Sequence, residues 1–124
     1  MIYFYYGSDK SINHRKANKL FLSLRDKKPD ASFSVFDGDS VTEDILSELV
    51  GSQGLFEGKV VSYLKNILSL SELQKEFAKK IQSLAESQNI IIWSEFKLPK
   101  DILEKLKKHS TKSDIREEKT EAKE

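Results

Sequence analysis

The chain has 124 residues, 38% hydrophobic and 33% charged, with a formal net charge of +1. That length supports one domain with one sheet and its helices. The near-neutral charge supplies no global field to draw the chain to nucleic acid, and the absence of cysteine removes disulfides, thiolate metal sites and cysteine nucleophiles.

No apolar run approaches the roughly 20 residues of a membrane span, so no membrane association is expected. The N-terminus enters strand-forming residues with neither a basic region nor a small-residue cleavage pattern, so a secretory signal is not expected. The absence of cysteine fits a cytoplasmic protein.

The elements alternate along the chain. Ile2-Tyr3-Phe4-Tyr5-Tyr6 is a continuous run of strand formers ended by Gly7, the pattern of a strand covered on both faces. Residues 9–26 read as a helix with Ala17, Leu20, Phe21 and Leu24 as its apolar stripe and Ser8 or Asp9 as its cap. Lys27-Lys28-Pro29-Asp30 is a turn. Ser32 to Phe36 alternates as a half-buried strand, closed by Asp37-Gly38-Asp39.

Ser40 and Glu43 form a capping box for a short helix that buries Ile45, Leu46 and Leu49. Lys59 to Leu64 is a third strand. Ser69 and Glu72 form a second capping box, and the helix behind it carries Leu70, Leu73, Phe77, Ile81 and Leu84 at helical spacing. Asn89 to Trp93 is a fourth strand. Pro99 suits the first turn of a last helix, in which Ile102, Leu103 and Leu106 recur.

Strands separated by helices imply right-handed crossovers and a mostly parallel sheet of four or five strands flanked by helices. The domain is expected to span residues 1–109. Residues 110–124 mix charges of both signs around Ile115 alone and read as a flexible or loosely helical tail.

Few residues offer chemistry. The loop Tyr6-Gly7-Ser8-Asp9-Lys10-Ser11 sits where an α/β domain would cradle phosphate. It is short, lacks a glycine before Lys10, and places Asp9 where a phosphate should lie. A self-capped helix start is the expectation; a small nucleotide-binding enzyme with an atypical loop is the rival. Asp37 and Asp39 could ligate a metal or act as an acid/base pair, but Gly38 between them favours a turn. His14 and His109 have no nearby nucleophile, are expected to face solvent, and suggest no triad. Trp93 is expected in the core. No catalytic, metal or cofactor-binding residue is assigned, and no cofactor is expected. Lys105, Lys107, Lys108 and Lys112, with Lys97 and Lys100 nearby, form a modest basic patch; Lys105, Lys107 and Lys108 are the candidates for a DNA or phosphate contact without sequence readout.

The remaining feature is Leu55-Phe56 in the segment Gly51-Ser52-Gln53-Gly54-Leu55-Phe56-Glu57-Gly58. An apolar pair in such a gap is either tucked into the core or offered to a partner. As an exposed plug, each side chain would contribute roughly 1.5–3 kcal/mol when buried by a partner.

Taken in order, these stretches resemble a known family. Met1 to Asp9, Phe36-Asp37-Gly38-Asp39, Ser52 to Val61, Leu64-Lys65-Asn66, the strand ending at Trp93 and Leu103 to Lys108 are similar to the N-terminal domain of the delta subunit of bacterial DNA polymerase III, the clamp-loader wrench. The likeness covers about residues 1–108. It implies an AAA+/P-loop-like (RecA-type) domain with a degenerate nucleotide loop and no ATP binding of its own. It further implies binding to the β sliding clamp through Leu55 and Phe56, with Gln53 two residues upstream, and help in opening one interface of that ring. No intrinsic catalysis is expected; a polymerase label would follow from membership of the holoenzyme. In that family a second small domain and a helical collar follow and assemble with other loader subunits; neither is expected within these 124 residues, which could be a fragment, a split subunit whose collar is supplied in trans, or a stand-alone clamp binder. An adaptor without a clamp partner is the third reading.

Overall fold

The computed structural model describes residues 1–28, 30–38, 60–68 and 71–116. These form β1 (Ile2–Tyr6), α1 (Lys10–Lys27), β2 (Ser32–Asp37), β3 (Val60–Lys65), α2 (Ser71–Glu86), β4 (Ile90–Glu95), α3 (Lys100–His109) and β5 (Lys112–Ile115). The fold is α/β. All five strands are parallel and lie in the order β2-β3-β4-β1-β5.

The order places β4 and β1 at the centre. Every residue of β4 is buried, and its first four, Ile90 to Trp93, are all apolar. Alternate side chains serve the two faces. Ile91 and Trp93 join Ile2, Phe4 and Leu64 on one face, under Phe77, Ile81 and Leu84 of α2 and Ile102 and Leu106 of α3. Ile90 and Ile92 join Val61 and Tyr63 on the other, under Ala17 and Phe21 of α1. Trp93 packs as expected in the core, with its ring 5.4 Å from that of Phe77. The helices divide between faces because the β1–α1–β2 and β4–α3–β5 crossovers run in opposite directions across the sheet. Right-handed connections of opposite direction must lie on opposite sides.

The helix ends follow their local chemistry. The Asp9 carboxylate accepts from the backbone N–H groups of Ser11 at 2.9 Å and Ile12 at 3.3 Å, so Asp9 rather than Ser8 is the cap. Arg25 and Lys27 in the last turn of α1, and Lys107, Lys108 and His109 in that of α3, complement the helix dipoles.

The C-terminal region differs from expectation. Lys112–Ile115, read as part of a flexible tail, is an edge strand paired with β1. Its composition is too polar to fold alone, but β1 offers a ready ladder: Thr111 N–H donates to Ile2 O at 2.8 Å and Arg116 N–H to Tyr6 O at 2.9 Å. Ile115 reaches the core beside α2 and α3. The sheet therefore extends past residue 109. Residues 117–124 lie outside the described residues, as do the Ser40–Glu43 capping box, the helix expected after it, and Ser69.

Candidate functional site

In parallel sheets the binding crevice lies outside the carboxyl ends of two neighbouring strands whose connections leave to opposite faces. Here those strands are β1 and β4. The β1–α1 connection is only Gly7-Ser8-Asp9. Gly7 N–H donates to Glu95 O at 3.3 Å, joining the two strand ends. The Asp9 carboxylate already occupies the α1 N-terminus, where an anion would otherwise be held. Lys10, in the place of a phosphate-binding lysine, sits with its ammonium 4.1 Å from the centroid of the Phe96 ring.

Two further residues close this end of the sheet. Asn13 is 1% exposed. Its amide nitrogen donates to Gly7 O at 2.8 Å and to Glu95 O at 3.1 Å. Its amide oxygen accepts from the Arg116 guanidinium, which folds back from the end of β5. A Cβ added to Gly7 would lie 2.8 Å from Arg116 Nη2, so the guanidinium rests directly on the first loop. One amide and one guanidinium thus tie together the carboxyl ends of β1, β4 and β5. Sequence reasoning missed both. Asn13 carried a signal: it falls one turn before Ala17 on the buried stripe of α1. Arg116 carried none, because its partners are distant in sequence.

Asn13→Ala should cost about 2–4 kcal/mol, since two buried carbonyls and the guanidinium lose their partner. Urea unfolding should show a lower midpoint with an unchanged slope.

Glu95 is the third missed residue. It is 2% exposed, and one carboxylate oxygen, Oε2, accepts from Trp93 Nε1 at 2.8 Å, Ile67 N–H at 3.0 Å and Leu68 N–H at 3.2 Å. Burial pushes its pKa up to about 7, outweighing the three donors that favour the charged form. The side chain lines a pocket of about 450 Å³ with Leu68, Gln74, Phe96, Leu98 and Pro99. Perturbed carboxyls in pockets often mark function. This one has a structural task, holding the turn after β3 against β4. Its signal was its place two residues after Trp93 on one strand, which puts both on the same face.

The turn beside it is tightly built. Asn66 adopts a left-handed backbone with φ 53°, and its N–H donates to Ser94 O at 2.9 Å. Gly38 packs so close that an added Cβ would strike the Asn66 carbonyl oxygen. Asp37 accepts from Gly38 N–H at 2.7 Å, in keeping with the turn reading; Asp39 lies outside the described residues. Gly38→Ala should lower stability by about 1–3 kcal/mol through that backbone clash, read as a drop in Tm.

The remaining candidates are dispersed. Contrary to expectation, His14 does not simply face solvent: its Nδ1 is 2.7 Å from the Tyr63 hydroxyl and the rings stack at 5.7 Å, because its position on α1 falls over β3. His109 ends α3, half-buried rather than solvent-facing. Lys105 donates to Ala78 O at 3.0 Å, Lys107 lies 3.7 Å from Glu104, and Lys108 is exposed. Lys112 does not join them. It stands on the α1 side of the sheet, beside Tyr3, because β5 is a strand and alternates its side chains. Among the described residues no cluster of three or more histidines, cysteines or carboxylates could hold a metal ion, and no helix is long and apolar enough to cross a membrane. Gln53, Leu55 and Phe56 lie outside the described residues.

No family model matches the chain, and no match was found among curated proteins or solved structures.

Proposed function

We propose that this chain is a clamp-loader delta-like module that binds the β sliding clamp through Leu55 and Phe56, with Gln53 as an accessory contact, and favours opening of the ring. Binding would shift the clamp only as far as the module prefers the opened interface over the closed one. The observation that carries the reading is the first loop. In an AAA+-type domain that loop would hold nucleotide. Here it has three residues, its helix start is taken by Asp9, Lys10 is turned onto Phe96, and Arg116 rests on Gly7. Such a crevice favours an interaction module over a nucleotide-binding enzyme, and it agrees with the degenerate loop that the family resemblance implies. The five-stranded parallel sheet is compatible with an AAA+-type domain. Other loader subunits would be partners in a polymerase III assembly if a collar is supplied in trans.

The test is calorimetric titration of the chain into the β clamp of the same organism, wild type against Leu55→Ala/Phe56→Ala. Clamp binding that depends on the pair supports the reading. Absence of binding by the wild-type chain rejects it.

A further inference from the structure

The most charged helix of the described fold is not the one singled out from sequence. α1 carries Lys10, Arg15, Lys16, Lys19, Arg25 and Lys27 against Asp26 alone, in a chain whose net charge is only +1. Its apolar stripe is pressed onto β4, β1 and β3. The neighbouring strand β5 lies at the sheet edge and turns Lys112 and Asp114 to the same side, beside Tyr3 and Tyr5. Between helix and strand is a cavity of about 220 Å³ lined by Phe4, Tyr5, Lys16, Lys19, Lys112 and Asp114.

The charges in this groove are unequal. Lys16 is held by Asp114 at 2.8 Å. Lys19 and Lys112 have no carboxylate partner among the described residues, nor has Arg15, exposed one turn before Lys19. Arg15 and Lys19 are spaced i,i+4 on the helix, about 6 Å apart. Lys112 adds a third free cation from the strand across the cavity.

We infer that the groove between α1 and β5 binds the phosphate backbone of a nucleic acid through Arg15, Lys19 and Lys112. An acidic protein is the weaker fit. Protein interfaces centre on buried aromatic or aliphatic anchors. Beside this groove Leu22, 44% exposed, is the only large apolar side chain standing out among the described residues of α1. A row of flexible cations flanking an open groove suits phosphates and reads no base sequence. The Lys16–Asp114 pair fixes the near wall, so the free lysines are presented from ordered backbone. The inference does not rest on the clamp reading, and the two fail separately.

Fluorescence anisotropy with a labelled oligonucleotide of about 20 residues, single-stranded and duplex, tests it between about 50 and 200 mM salt. Lys19→Glu/Lys112→Glu should weaken binding about tenfold or more at the lower salt and reduce the log–log salt slope by about two. Lys19→Gln/Lys112→Gln should give an intermediate loss and guards against a folding artefact. Lys107→Glu/Lys108→Glu, on the opposite side of the sheet, should lose much less. Equal losses for the two reversed pairs, no binding by wild type at the lower salt, or equal affinity for polyglutamate would each overturn the assignment.

Discussion

Glu95→Ala is expected to cost about 3–6 kcal/mol, enough to unfold a domain of ordinary stability. The substitution leaves the buried Trp93 indole N–H and the backbone N–H groups of Ile67 and Leu68 without their carboxylate acceptor. It also opens a cavity next to Trp93. Circular dichroism melting reads the loss directly. If the variant fails to fold, Glu95→Gln supplies the informative comparison, because an amide oxygen can accept the same three hydrogen bonds.

That comparison also has a pH signature. The folded carboxyl titrates at about 7 against an ordinary value of 4.5. Between those pH values the folded chain holds a proton that the unfolded chain has released. Stability contributed by the protonated carboxyl is therefore complete below about pH 4.5, declines as pH rises toward 7, and is gone above it, a change on the order of a few kcal/mol. His14 acts in the opposite sense. Burial and Lys65 lower its pKa, so its contribution weakens as pH falls through its titration range. Denaturant midpoints between pH 5 and 8 should fall for wild type and flatten for Glu95→Gln. An identical slope in both proteins would show that Glu95 does not govern the profile.

Leu55→Ala/Phe56→Ala should weaken clamp binding by about 10²–10⁴-fold, the equivalent of two buried side chains at roughly 1.5–3 kcal/mol each. The loss should fall mainly on the dissociation rate, as is usual for interface anchors. Gln53→Ala should have a far smaller effect. The melting temperature separates this outcome from core packing. A pair offered to the clamp leaves Tm close to wild type, whereas a pair packed inside its own molecule costs about 2–5 kcal/mol per truncation. A lowered Tm with undiminished clamp affinity would return the pair to the core.

All the described elements except β5 were legible, because each announces itself locally. α1 shows an acid cap and a stripe ending at Leu24. β4 shows an unbroken apolar run, since both its faces are covered. β5 was not legible: four residues with one sizeable apolar side chain form a strand only because β1 presents free backbone partners. Glu95 and Asn13 were hidden for a related reason. Each is a polar residue whose burial is offset in part by groups distant in the chain, the Ile67 and Leu68 N–H groups for Glu95 and the Glu95 carbonyl and Arg116 guanidinium for Asn13.

Sequence alone therefore settled most of the described strands and helices, and with them a mostly parallel α/β sheet, because periodicity and capping are written within single segments. It also offered Asp9 as a cap for α1, and the Asp9 carboxylate does accept from the first helical N–H groups. Only the tertiary structure decided that β5 completes the sheet, that Arg116 and Asn13 lock its carboxyl edge, and that Lys112 stands with α1 rather than with the lysines of α3. Those outcomes depend on which strands become neighbours, and that choice is made by long-range burial and backbone pairing.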